Sequence, residues 1–142
     1  MKREISLLIL LLIIVTVILD LASIPVHEAG HFLAVNLVGG EVTRVVWIYW
    51  PLSFSTPAGE IWWNNVPGQW DWLICLAGGL FQGIVCFSLI VTDFFLTKNI
   101  FPDPYNFRTA VRWGFSATLL AFGLVGIATG LLEMCLWPLG RW

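Results

Sequence analysis

Ile24-Pro25-Val26-His27-Glu28-Ala29-Gly30-His31-Phe32-Leu33-Ala34-Val35 places three ionisable side chains inside an otherwise apolar run. His27 and His31 are four residues apart. At about 100° per residue, a helix sets them roughly 40° apart around its axis and one turn apart in height. Two imidazole nitrogens at that spacing can meet one metal ion at about 2.0–2.1 Å from each. Glu28 points to the flank of the pair, where it can reach a water at the metal but is poorly placed as a third ligand. His27-Glu28-Ala29-Gly30-His31 thus fits the H-E-x-x-H pattern of helical zinc sites. Gly30 leaves the backbone bare for a neighbouring helix or a substrate. The chain has only 2 histidines, and both lie here. An acid at the centre of an apolar span costs roughly 2.5–3.5 kcal/mol, so a glutamate between them needs a reason.

The apolar run that carries the motif extends from Ile5 to Val38. As a helix it measures about 51 Å, longer than the ~30 Å hydrocarbon core, so it must tilt, kink or protrude. Pro25 is the expected kink. Apolar character continues past Ala22 into the motif, which favours a membrane span over a cleaved signal peptide. Asp20 lies seven residues before His27 on nearly the same face. It is a candidate for supporting the site or relaying protons, or for facing a polar partner or the interface.

The 142 residues are 58% hydrophobic and 11% charged, with a mean hydropathy of +0.86. A soluble domain of this size could not hide so much apolar surface, so the chain reads as one integral membrane domain in contact with a lipid bilayer. A formal charge of −2 excludes a strongly basic nucleic-acid binder. Cys75, Cys86 and Cys135 fall in apolar runs without a C-x-x-C pair and read as small core residues.

Gly39-Gly40 supplies a left-handed helix cap. The β-forming residues from Glu41 to Trp50 predict a strand, and Glu60-Ile61-Trp62-Trp63 predicts its return. Trp47, Tyr49, Trp50, Trp62, Trp63, Trp70 and Trp72 crowd this segment, as rings at a membrane–water boundary do. A second span follows over 70–96, with a small-residue notch at Ala77-Gly78-Gly79 and with Gln82 one turn further on. A polar connection containing Asp103 leads to a third span over 110–137, which carries the single acid Glu133. The expected fold class is mainly α and integral to the membrane: three transmembrane helices (5–38, 70–96, 110–137), with a membrane-interface β-hairpin (41–69) between the first and second.

Depth along these spans decides which groups can meet. His31 and His27 lie about 12 and 18 Å in from the Gly39 end, and Gly78 and Gln82 lie at similar depths from Trp70. The third span returns to that side, about 13 Å beyond Glu133. Catalytic zinc takes three protein ligands and keeps an open position. Glu133 shares the layer of the histidines and is the expected third ligand. Asp103 is the alternative, although it joins the second and third spans at the opposite face.

The stretch His27-Glu28-Ala29-Gly30-His31, then Gly39-Gly40-Glu41-Val42-Thr43-Arg44, then Leu76-Ala77-Gly78-Gly79-Leu80-Phe81-Gln82 resembles the site-2 protease family, the intramembrane zinc metalloproteases. The resemblance covers roughly residues 20 to 90. Gly79 stands where that family usually has Pro, and Gln82 where it often has Asn. The family's third ligand is an Asp followed by Gly, a pair this chain lacks. The resemblance implies hydrolysis of a peptide bond in a membrane-embedded protein substrate. His27, His31 and an acid would hold Zn²⁺, and Glu28 would take a proton from water and pass it to the leaving amine. The Gln82 amide would help stabilise the oxyanion. The hairpin would offer an edge strand to an extended segment or serve as an interfacial anchor.

Lys2, Arg3, Lys98, Arg108 and Arg112 fall on one side of the expected spans, and Arg44 and Arg141 on the other, which puts the N-terminus in the cytoplasm. A non-catalytic membrane scaffold is the alternative function. It would bind a partner helix through the Gly78-Gly79 notch and keep a residual metal site. A zinc-dependent transporter fits poorly, because three spans enclose little pathway. Association into a homo-oligomer is left open by the sequence.

Overall fold

The computed structural model describes residues 2–48, 59–97 and 107–136. Asp103, the stretch 49–58 at the tip of the expected hairpin, and residues beyond Leu136 lie outside them. The first helix, α1, runs Lys2–Leu37 and includes Pro25. It is one continuous helix of 36 residues, about 54 Å long. Strands β1 (Glu41–Val46) and β2 (Glu60–Asn64) follow. A single 3-10 turn at Gly68–Trp70 then leads into α2 (Asp71–Thr97), and α3 runs Phe107–Leu136. Three helices are therefore long and apolar enough to cross a membrane, with a small antiparallel sheet between the first two.

The first helix stops where its glycines dictate. Gly40 donates its amide to the Val35 carbonyl at 2.9 Å, and Gly39 donates to Asn36 at 3.2 Å. This pair of bonds is the Schellman arrangement, which needs a left-handed residue after the cap. Gly39 provides it with φ +80°.

The hairpin pairs Glu41 with Asn64 and Val46 with Glu60, with a register shift between Val42 and Arg44. The shifted Thr43 donates its hydroxyl to the Trp62 carbonyl at 3.2 Å. β1 is shorter than the predicted Glu41–Trp50 strand. The reason is that β2 begins at Glu60, opposite Val46, so Trp47 and Ile48 have no ladder partner in it. The Arg44 guanidinium lies 4.5 Å from the centre of the Trp62 ring, a cation–π contact that ties the two strands.

Where lipid is the solvent, apolar contact alone does not drive helices together, and close approach between small residues does much of the work. The three helices follow that rule. A Cβ on Gly30 would fall on the Ala77 carbonyl and within 2.7 Å of the Phe81 Cβ, so α1 and α2 touch backbone to backbone. A Cβ on Gly79 would collide with the backbone of Gly126 and lie 2.6 Å from the Gly130 nitrogen, so α2 and α3 do the same. The Gly78-Gly79 notch is thus filled from within, by α3 and by the His27 and His31 imidazoles. The expectation that it receives a partner helix is corrected by that packing.

Farther from Gly39, Leu12 packs against Gly114, and Arg112 pairs with Asp93 at 2.8 Å between α3 and α2. A small core of Ala34, Val35 and Ile74 sits under the hairpin, with Val42, Trp63 and Val66 packed on it. By contrast Ile5, Leu7, Ile9, Ile13, Val17 and Ile18 are all exposed along α1, a face suited to lipid.

Candidate metal centre

Helix α1 buries His27, Glu28 and His31 among its neighbours. The face of α2 that meets them carries Ile74, Gly78 and Gln82, four residues apart and so stacked one turn above another. Gly78 makes room for the rings. A Cβ there would clash with the His31 Nε2 and lie 2.6 Å from the His27 Nε2. The rings stand edge to face, with centroids 4.8 Å apart and planes at 73°.

Each imidazole is held by its other nitrogen. His31 Nδ1 lies 2.7 Å from the Ile74 carbonyl oxygen, which can only accept, so Nδ1–H donates and Nε2 keeps its lone pair. His27 Nδ1 lies 3.3 Å from Gln82 Oε1. The Gln82 amide nitrogen donates to the Phe122 carbonyl of α3 at 3.1 Å, and this turns its oxygen toward His27. His27 is thereby set in the same tautomer. Both Nε2 lone pairs face α3, the arrangement in which ligand histidines are usually fixed.

Glu133 meets them there. Its Oε1 is 3.2 Å from His27 Nε2 and its Oε2 is 3.4 Å from His31 Nε2. A tetrahedral ion with bonds of ~2.0–2.1 Å separates its donors by about 3.3 Å, so these spacings suit one. His27, His31 and Glu133 each offer a ligand atom, all within 4.8 Å of one another. Glu133 Oε2 is buried and accepts no hydrogen bond among the described residues. A buried carboxylate oxygen without a donor is costly, and a cation held by the three residues would satisfy it. The three residues therefore fit a metal ion, and their two nitrogens and one carboxylate suit a borderline divalent ion.

Glu28 is not drawn into this group. It is buried and makes no hydrogen bond among the described residues, yet it lines the cavity that His27 and Glu133 also border. The chain just before β2 closes on it, since a Cβ on Gly59 would lie 2.7 Å from Glu28 Cγ. The cavity has a volume of about 350 Å³ and lies between α1 and α3, with Gln82 of α2 in its wall.

Of the residues singled out from sequence, the structure brings together His27, His31 and Glu133, with Glu28 and Gln82 beside them. Gln82, expected to face an oxyanion, instead has both ends of its amide engaged, one by His27 and one by Phe122. Asp103, the alternative third ligand, lies outside the described residues. The Ile74 and Phe122 carbonyls went unforeseen because backbone acceptors carry no sequence signal. For Ile74, the four-residue spacing to Gly78 and Gln82 was the available clue.

No known protein family, characterised protein or solved structure matches this chain.

Proposed function

We propose that this chain is a zinc-dependent peptidase that hydrolyses a peptide bond of a membrane-embedded protein. The observation that carries the reading is Glu28: a buried carboxylate with no hydrogen bond among the described residues, in the wall of the cavity that reaches the metal group. A purely structural metal site has no use for such a group. The chain has three helices long and apolar enough to cross a membrane, which supports a substrate within the bilayer.

His27, His31 and Glu133 would hold the ion, and zinc suits their donor set. Bound there, zinc would supply acidity to a water and polarise the substrate carbonyl. Glu28 accepts the proton of that water as its oxygen adds to the carbonyl carbon. When the C–N bond breaks, Glu28 returns the proton to the leaving nitrogen, so the carboxylate ends as it began. Gln82 and the Ile74 carbonyl hold the two imidazoles in the tautomer the ion requires.

The test is Glu28→Gln. Wild type and variant are reconstituted in lipid vesicles with a panel of Leu/Ala transmembrane peptides carrying Gly, Ser, Pro or Lys inserts, and fragments are read by mass spectrometry. Wild type should cut at least one peptide. The variant should be about 10²–10⁴-fold slower, the usual contribution of a general base, with its metal content unchanged. Intact peptides throughout, or equal cutting by the variant, would remove the reading.

A further inference from the structure

The cavity beside the metal group continues along α1, past Ile24 and Ser23, to Asp20. Seven residues of helix separate Asp20 from His27, about 10 Å. The packing of Leu12 on Gly114, near the Asp93–Arg112 pair, marks the far end of the bundle. Asp20 lies about 12 Å along α1 from Leu12 and about 28 Å from Gly39, inside a segment long and apolar enough to cross a membrane. It is exposed rather than packed, and its carboxylate makes no hydrogen bond or ion pair among the described residues. An acid within such an apolar segment normally has a partner or a task.

The remaining lining indicates which partner. Ser23 spends its hydroxyl proton on the Asp20 carbonyl at 2.7 Å, and Thr129 spends its own on the Val125 carbonyl at 2.9 Å. Both hydroxyls therefore present only lone pairs to the cavity. The Gln82 N–H bonded to Phe122 is likewise used. Asp20 and Glu28 add carboxylate acceptors beside the metal group, while Ile24, Phe122 and Val125 supply apolar wall. The chamber thus offers acceptors and negative charge on an apolar surface. Its complement is a hydrogen-bond-donating cation on an aliphatic stem, which describes a Lys or Arg side chain.

We propose, building on the peptidase reading, that Asp20 is a specificity-determining residue that receives a basic side chain of the substrate. The offset of about 10 Å from His27 matches three residues of extended chain at ~3.3 Å each, so the basic residue sits about three positions from the scissile bond. A basic residue within a span also lacks a partner in lipid, and pairing with Asp20 relieves both charges.

The probe is a fluorescent Leu/Ala transmembrane peptide with one central Lys, titrated against the full-length protein in micelles beside the same peptide carrying norleucine. The Lys peptide should bind at least tenfold more tightly by anisotropy. That preference should vanish in Asp20→Asn and return in Asp20→Glu, with equal metal content in all three proteins as the control for folding. Equal binding of the two peptides, binding of neither, or a preference that survives Asp20→Asn would overturn the assignment. Fragment analysis of the same mixtures scores the peptidase reading separately. Lys-selective binding without cleavage anywhere would leave Asp20 as a cation site and sink the peptidase, whereas cleavage indifferent to Lys would sink only Asp20.

Discussion

His27 Nε2 lies 3.2 Å from Glu133 Oε1, although 106 positions of chain separate the two residues. The contact joins the first helix to the third, and Gly78 on the second leaves the space in which it forms. Removing either side of it should empty the metal centre. Elemental analysis of detergent-purified protein should find about one zinc per chain. His27→Ala, His31→Ala and Glu133→Ala should each fall to background, while Asp103→Ala keeps its metal. Zinc lost in Asp103→Ala and kept in Glu133→Ala would reassign the third ligand.

Gln82 supports His27 at Nδ1, on the side of the ring away from Glu133. Loss of such an orienting partner typically costs 10–100-fold in metal affinity. Gln82→Leu removes the acceptor for His27 Nδ1 and should weaken zinc binding within that range, measured by competition with a chelating dye. Affinity equal to wild type would mean that Ile74 and the packing around Gly78 suffice to orient the rings.

Gly59 leaves room for Glu28, so a larger residue there should move the carboxylate without changing the His27, His31 and Glu133 group. A Cβ would lie 2.7 Å from Glu28 Cγ and 2.9 Å from its Oε1. Gly59→Val is expected to cut the cleavage rate at least tenfold with metal content unchanged. Activity at the wild-type level would show that the segment before β2 yields to Glu28 easily.

Gly79 stands where α2 and α3 meet backbone to backbone. Overpacking a tight contact typically costs about 1–3 kcal/mol. Gly79→Val should lower stability by that order in a detergent-unfolding titration. It should also weaken zinc binding, because Glu133 rides on the helix that would be pushed away. A stable variant with normal zinc affinity would contradict the close crossing.

Several features were legible in the chain itself. The apolar runs define three helices because a helix satisfies its own backbone groups and so can lie in lipid. Gly39-Gly40 ends the first of them as expected, since only a residue free to adopt positive φ closes that turn without strain. The four-residue spacing of His27 and His31 puts both rings on one face, and counting residues from the helix ends placed Glu133 in their layer. Each of these follows from helical rise and periodicity, which are local.

What tertiary packing decided is which groups face one another. The notch at Gly78-Gly79 looks from sequence like a surface for a partner helix, yet the chain's own α3 and imidazoles occupy it, because small residues let the nearest helix in first. Gln82 looks like a group free to bind substrate, but His27 and Phe122 hold both ends of its amide. Rotation of α2 and α3 about their axes settles these partners, and the Ile74 carbonyl as well. Composition leaves that rotation open. The way glycine surfaces of three helices interlock fixes it, and with it the buried Glu133 oxygen, without a hydrogen bond among the described residues, on which the candidate metal centre rests.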